Sequence, residues 1–220
     1  MISLHYTAMA ISWLPLALAS LIGVVSVAAA RILAATGAPA SLVALQFSAI
    51  LLSTAAGFVF DDPASDVLAA SPMSLAWRRM SRMLVIIPVA TSIWAVLIVW
   101  HGPFEPESAF TLTCMYLGLL GLSLGIAGVT TRRGGGGAVV APIVFITIVV
   151  SSLLPPRWRP MPLGDVPGGL TSLQLRWSAT GLAGLLLLVA SSRDPGSVAF
   201  RMFSAGGLGE PKVVTPPRTG

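Results

Sequence analysis

The chain has 220 residues, of which 55% are hydrophobic and 10% are charged, and its mean hydropathy is +0.87. Soluble domains usually carry about 25% charged residues, so this composition excludes an ordinary soluble domain. The net charge of +5 and the pI near 10.7 do not indicate a nucleic-acid partner, because basic residues in an apolar chain serve to orient it in the membrane. We therefore predict an all-α polytopic protein that lies in the lipid bilayer.

Six apolar segments approach the roughly 20 residues that a membrane-spanning helix needs. They are residues 8–30, 41–60, 83–100, 109–129, 138–154 and 170–190. The first segment has no Lys or Arg before it and is longer than the apolar core of a signal peptide, so we expect it to be the first span. The single cysteine, Cys114, falls inside the fourth span, which excludes an intramolecular disulfide.

The distribution of basic residues predicts the orientation of the chain. If the N-terminus is cytoplasmic, nine of the 13 Lys and Arg residues lie in inside segments and the other four in outside segments. This excess favours two cytoplasmic termini. We expect residues 1–192 to form a six-helix transmembrane domain, and residues 193–220 to be a flexible cytoplasmic tail. One Lys against twelve Arg, together with abundant Ala and Gly, indicates a high-GC bacterium and hence its plasma membrane.

The densest charged segment lies between the second and third spans. Asp62-Pro63 and Ser71-Pro72 each place a capping residue before a proline, the arrangement that starts a helix. The sequence therefore predicts a short helix, a break, and a second helix that enters the third span. We expect the short helix to contact a cytoplasmic partner. The candidate contact residues are Asp61, Asp62, Asp66, Val67, Leu68 and Ser71.

A solvated loop is the alternative interpretation of this segment. Its carboxylates would then only cap helix ends and pair with the arginines that follow, an arrangement that contributes little free energy on a surface. Against this alternative stands an apolar content larger than a solvated loop needs. These apolar residues suit a groove on a partner protein, or the headgroup layer of the membrane. They are Val67, Leu68, Met73, Leu75 and Trp77.

Four glycines mark the fourth span, at successive spacings of three, four and three residues. They are Gly118, Gly121, Gly125 and Gly128. Residues at these spacings share one face of a helix, and small side chains on a shared face permit close approach of a second helix. The pattern predicts a helix-packing surface, either inside the chain or between two copies of it.

We expect no ionisable side chain at depth in the six spans, which disfavours transport coupled to protons or other ions. The sequence also lacks a His-Glu-x-x-His motif and paired intramembrane aspartates, so it offers no catalytic set. The glycine run 134–137 is not followed by Gly-Lys-Ser/Thr, which argues against a nucleotide site. His101, Glu105 and Glu107 are best explained as a solvated external loop rather than a metal site. We predict no catalytic, cofactor-binding or metal-binding residues.

The loop between the second and third spans resembles the coupling helix of small six-span membrane subunits of ABC exporters. The likeness lies in Phe60-Asp61-Asp62, in Leu68-Ala69-Ala70-Ser71-Pro72-Met73-Ser74-Leu75, and in Arg79 or Arg82 before the third span. The segment Arg133-Gly134-Gly135, which leads into the fifth span, and Pro142 further along that span also resemble the corresponding region of these families. These families include the subunits associated with haem export in cytochrome c maturation.

The resemblance implies the permease subunit of an ATP-driven exporter. Such a subunit pairs with a second membrane subunit, the same or homologous, and docks through this loop on separate ATP-binding subunits. It is not an enzyme by itself and needs no cofactor, because ATP hydrolysis occurs in the partner. Two other hypotheses remain. A non-transport membrane scaffold or assembly factor needs no ATPase, and a membrane enzyme needs polar residues that converge at one interface.

Overall fold

The computed structural model describes residues 11–34, 41–61, 75–102, 106–131, 139–144, 146 and 169–192. Every regular element in these ranges is helical. We number the five long helices in chain order, and a 3₁₀ turn, Phe58–Phe60, extends the second of them. The helices are α1 (Leu14–Ala34), α2 (Ser41–Gly57), α3 (Leu75–His101), α4 (Pro106–Thr131) and α5 (Gly169–Ser192). Residues 140–144 are also helical.

Five of the helices are long and apolar enough to cross a membrane. The qualifying segments have 19 to 25 residues, so they reach about 28–38 Å against a hydrocarbon core of about 30 Å. They are Leu14–Leu33, Leu42–Phe60, Trp77–His101, Glu107–Thr131 and Ser172–Ser192. The prediction of an all-α protein with apolar, membrane-type helices is therefore confirmed for five of the six predicted spans.

Several predictions fall outside the described part of the chain. The fifth predicted span, residues 138–154, is described only at 139–144 and 146. The short helix predicted at residues 62–70, the second helix start at 71–72, both termini and the tail at 193–220 also lie outside the described residues. Six spans, cytoplasmic termini and a coupling helix therefore stay predictions.

The expectation of spans without ionisable side chains is wrong: four of the five membrane-type segments contain at least one, which lies near a segment end in α1 (Arg31) and α4 (Glu107). Arg176 lies inside α5, within the segment Ser172–Ser192. The membrane-type segment of α3 begins at Trp77 rather than at residue 83, so it includes Arg79 and Arg82. The physical reason for α3 is hydrogen bonding, because Arg79 and Arg82 are buried and donate to main-chain carbonyls at the ends of other helices.

α2 and α4 form the centre of the bundle. In their membrane-type segments 61% and 67% of the residues are buried, against 22–28% for the other three helices. α2 packs between α1 and α4, α5 packs along α4, and α3 packs across α1 and α2. The largest completely buried side chains are Trp94 on α3 and Tyr116 on α4. Their rings stack with centroids 5.0 Å apart and an interplanar angle of 14°.

The glycine face of α4 lies against α5. A Cβ atom on Gly118 would lie 2.6 Å from the carbonyl oxygen of Trp177, and one on Gly121 would lie 2.7 Å from that of Gly181. Both distances are shorter than real side chains permit, so the two backbones approach more closely than any residue but glycine allows. Gly125 in turn faces the backbone of Gly184. The glycines thus form an internal contact between α4 and α5.

Gly184 faces the backbones of Gly121 and Gly125 in this contact. Its spacing of three from Gly181 is the sequence signal that could have identified it as part of the packing face. We predict that Gly184→Val will push α5 away from Gly121 and destabilise the protein by about 1–3 kcal/mol, the usual cost of overpacking. Thermal unfolding of the purified protein in nanodiscs measures the loss. Ala183→Val is the matched control, since Ala183 is the adjacent residue and is exposed. Equal melting temperatures for the two variants would contradict the packing role.

Candidate functional site

Arg79 lies at the end of the bundle where α3 begins and where α2, α4 and α5 end. Its guanidinium donates four hydrogen bonds to the last turns of α4 and α5. Nη1 donates to the carbonyl oxygen of Ser191 at 2.9 Å and to its hydroxyl at 3.1 Å. Nη2 donates to the carbonyl oxygen of Gly128 at 2.9 Å and to the hydroxyl of Thr131 at 2.8 Å. One side chain therefore joins three helices.

The two hydroxyl groups are oriented to accept from Arg79 because their own protons are used elsewhere. The Ser191 hydroxyl donates to the carbonyl oxygen of Leu188 at 2.9 Å, and the Thr131 hydroxyl donates to that of Ala127 at 2.8 Å. Each hydroxyl has lone pairs left over, and these face the guanidinium. The four acceptors thus form a set of oxygen atoms that suits the planar fork of an arginine.

The location explains why a cation is stable there. Helix C-termini leave their last carbonyl groups without intrahelical partners and carry a partial negative charge. Arg79 is only 5% exposed, and burying a charge costs several kcal/mol unless it is well hydrogen-bonded. The guanidinium supplies the donors that the last carbonyls of α4 and α5 lack. These carbonyls in turn offset the cost of burying its charge. We call Arg79 with Gly128, Thr131 and Ser191 the arginine clamp.

Gly128 contributes its carbonyl to the arginine clamp and also lies close to another of the acceptors. A Cβ atom at this position would lie 2.6 Å from the hydroxyl oxygen of Ser191 and 2.9 Å from Cδ1 of Leu188. A larger residue would therefore displace the Ser191 hydroxyl, which accepts from Arg79. The last glycine of the predicted packing face thus lies against side chains of α5 and leaves room for an acceptor of the buried cation.

Arg82 and Phe60 extend the arginine clamp to α2. Nη1 of Arg82 donates to the carbonyl oxygen of Val59 at 3.3 Å, in the 3₁₀ turn that ends α2. The guanidinium carbon of Arg79 lies 5.5 Å from the ring centroid of Phe60, within the range of a cation–π contact. The first two turns of α3 are thus attached to the ends of α2, α4 and α5.

Of the predicted contact residues, the structure describes one. Asp61 follows the 3₁₀ turn with φ −71° and ψ 107°, and its backbone N–H donates to the carbonyl oxygen of Phe58 at 3.0 Å. It therefore ends α2, next to the carbonyl that Arg82 binds. Asp62, Asp66, Val67, Leu68 and Ser71 lie outside the described residues. The four predicted packing glycines all lie on α4, and Gly128 belongs to the arginine clamp.

Arg31 forms a smaller contact at the opposite end of the bundle. Its guanidinium donates to the carbonyl oxygen of Trp100 at 2.8 Å and is exposed. The bond joins the last turn of α1 to the last turn of α3, again a cation on a helix C-terminus. His101, a residue considered in the sequence for a metal site, follows in this turn. Among the described residues, no three His, Cys, Asp or Glu side chains lie close enough together to hold a metal ion.

The acceptors of the arginine clamp could not be identified from the sequence. Its hydrogen bonds join residues that are 49 to 112 positions apart in the sequence, and two of the acceptors are main-chain carbonyls that any residue carries. Gln174 was also missed; its amide donates to the Thr111 hydroxyl at 3.0 Å and joins α5 to α4.

No protein-family model, curated protein or solved structure matches the chain.

We predict that Arg79→Met will destabilise the protein by about 1.5–3 kcal/mol or more, the range for hydrogen bonds to a charged group, because buried carbonyls of two helices lose their donor. Arg79→Lys keeps the charge but not the planar fork. The stability of this variant should therefore lie between that of the unmodified protein and that of Arg79→Met. Chemical unfolding in mixed micelles measures these differences.

Arg31→Met is the matched control, since it removes the same group from an exposed site where the guanidinium donates to the carbonyl oxygen of Trp100. We expect this control to change stability by about 0.5 kcal/mol or less. An Arg79→Met protein as stable as the Arg31→Met protein would show that the arginine clamp does not stabilise the bundle.

Proposed function

We propose that the chain is the membrane permease subunit of an ATP-driven, ABC-type exporter in the plasma membrane of a high-GC bacterium. It forms the translocation pathway with a second membrane subunit, the same or homologous, and docks on separate ATPase subunits through residues 62–74. The chain itself hydrolyses no ATP in this proposal. The support comes from the membrane-type helices and from the arginine clamp.

The observation that carries the proposal is the attachment of α3 by Arg79. α3 begins at Leu75, directly after the proposed docking segment, and Arg79 lies about one turn further on. Any displacement of the first turns of α3 acts on the C-termini of α4 and α5 through the guanidinium. Arg82 acts on the end of α2 in the same way. A partner that pushes on residues 62–74 therefore moves three helices besides α3.

A mechanical connection of this kind is what an ATP-driven permease needs. The energy of ATP binding is released in the partner, and the membrane subunit must convert movement at one loop into rearrangement of its helices. The hydrogen bonds of the arginine clamp are made to main-chain carbonyls and to hydroxyls within one turn of the helix ends. Through the two carbonyls, movement is therefore transmitted directly to the main chain of α4 and α5.

The docking prediction is tested by Leu68→Asp, with Val67→Asp as a second variant. A carboxylate at an apolar contact is costly to desolvate, so we expect loss of the co-purified ATPase and of its stimulated ATP turnover. Leu163→Asp is the matched control, because the sequence places residue 163 in a loop on the opposite side of the membrane. Unchanged assembly and turnover in Leu68→Asp would contradict the proposal. A purified protein that is complete without an ATPase would favour a membrane scaffold instead.

The transmission of movement is tested separately by Arg79→Lys. The docking segment is unaltered in this variant, so the ATPase should still co-purify. Because a point charge holds two helix ends less rigidly than a planar fork, transport per ATP hydrolysed should fall. The ratio of transported substrate to released phosphate in proteoliposomes measures the coupling. An unchanged ratio would show that the arginine clamp does not transmit the movement.

A further inference from the structure

A groove of about 690 Å³ lies between α1 and α3, at the end of the bundle opposite the arginine clamp. The last turn of α1 forms one side of it, and the last two turns of α3 form the other. We call it the Arg31 groove. It is lined by Arg31, Ala95, Val96, Val99, Trp100 and Gly102. Val96 is 63% exposed and Val99 is 80% exposed, so within the described ranges the groove is open toward the bilayer.

Arg31 is the charged residue of this lining, and its side chain is exposed. Nη1 donates to the carbonyl oxygen of Trp100 at 2.8 Å, which holds the guanidinium at the groove. A guanidinium has five N–H donors, so donors are left for a further acceptor. Asp61 and Glu107 are the carboxylates of the described ranges, and neither pairs with Arg31. The described residues therefore place a cation without a countercharge at one end of the groove.

The Arg31 groove changes from polar to apolar along its length. Trp100 lies in the last turn of α3 and is 40% exposed, and a tryptophan at the end of a spanning helix is typical of the headgroup level. Val96 and Ala95 precede it by four and five residues, which places them about 6–8 Å deeper along the helix axis. A matching ligand has an anionic group at the level of Arg31 and an apolar chain that extends toward the centre of the bilayer.

Charge and depth together select one class of ligand. A guanidinium can bind a phosphate through two parallel N–H···O bonds, which adds geometric specificity to the attraction of the charges. An anionic phospholipid brings a phosphate and an acyl chain to these two levels of the membrane. A zwitterionic phospholipid carries its own ammonium group, which weakens the attraction to Arg31. Free phosphate has no apolar part that could contact Val96 and Val99.

We propose that the Arg31 groove binds an anionic phospholipid, with its phosphate at the guanidinium of Arg31 and an acyl chain along Ala95, Val96 and Val99. The lipid then bridges the last turns of α1 and α3, which the bond from Arg31 to Trp100 already joins. Binding requires neither an ATPase nor a transported substrate. The proposal is therefore independent of the proposed function, and the two fail separately.

Native mass spectrometry of the full chain in detergent micelles tests the preference for an anionic headgroup. Palmitoyl-oleoyl phosphatidylglycerol and the matching phosphatidylcholine are added in equal amounts, and the lipid adducts are counted. We expect about fivefold more phosphatidylglycerol than phosphatidylcholine, the usual effect of one basic residue near a membrane surface. Glycerol 3-phosphate, which has the anion without acyl chains, should not displace the lipid.

Substitution of Arg31 tests the role of the cation. Arg31→Gln should abolish the preference for phosphatidylglycerol, and Arg31→Lys, which keeps a point charge but not the planar fork, should retain part of it. Arg176→Gln is the matched control, because it removes the same charge from α5, a helix that contributes none of the described lining residues. The control should keep the preference of the unmodified protein.

Ala95→Phe tests the apolar part of the groove without altering Arg31. The larger side chain occupies the space of the acyl chain, so fewer phosphatidylglycerol adducts should remain. Ala95 is exposed, so this variant keeps the test valid if Arg31→Gln fails to fold.

Four results would overturn the proposal. Equal retention of the two lipids, or the same preference in Arg31→Gln and Arg176→Gln, would show that Arg31 does not recognise the headgroup. Displacement of the lipid by glycerol 3-phosphate would show that the apolar part of the groove is not used. A dimer that carries no phosphatidylglycerol and that Ala95→Phe dissociates would show that a second copy of the chain occupies the groove.

Discussion

The bonding of one buried guanidinium to two helix C-termini determines how this bundle is organised at one end. Arg79 joins α4 and α5 from a position on α3, and the neighbouring Arg82 joins α2. The bonds are possible because α4 and α5 already lie in backbone contact, which places the carbonyls of Gly128 and Ser191 within reach of one side chain. Close glycine packing and a buried cation therefore depend on each other.

The sequence was sufficient for the helices that have a simple physical signature. Long apolar segments predicted all five helices, α1 to α5, because a spanning helix needs length and apolar composition and little else. The spacing of Gly118, Gly121, Gly125 and Gly128 also predicted a packing face, since helical geometry brings such residues together. The choice between an internal contact and a contact of two copies needed the position of α5.

The wrong expectation about ionisable residues in the spans and the contacts that the sequence did not predict have a common cause. Hydropathy treats arginine as a signal to end a span, yet Arg79 and Arg82 lie inside the membrane-type segment of α3, and Arg176 lies inside that of α5. For Arg79 and Arg82 this is possible because each guanidinium donates to main-chain carbonyls, and such partners leave no trace in a sequence. The same limit applies to Trp94 and Tyr116. Neither residue carries a signal of its partner in the sequence, and only the packing of the helices stacks their rings.

The contact between α4 and α5 also restricts how this protein can move. Side chains at an ordinary helix interface can change rotamer, and two helices then slide past each other in small steps. Where Gly118 and Gly121 face the backbone of α5, there are no rotamers to change, and a slip would drive main-chain atoms into each other. α4 and α5 should consequently travel as one rigid body. Rearrangement is then a movement of this pair as a unit against the other helices, driven where Arg79 attaches it to the first turns of α3.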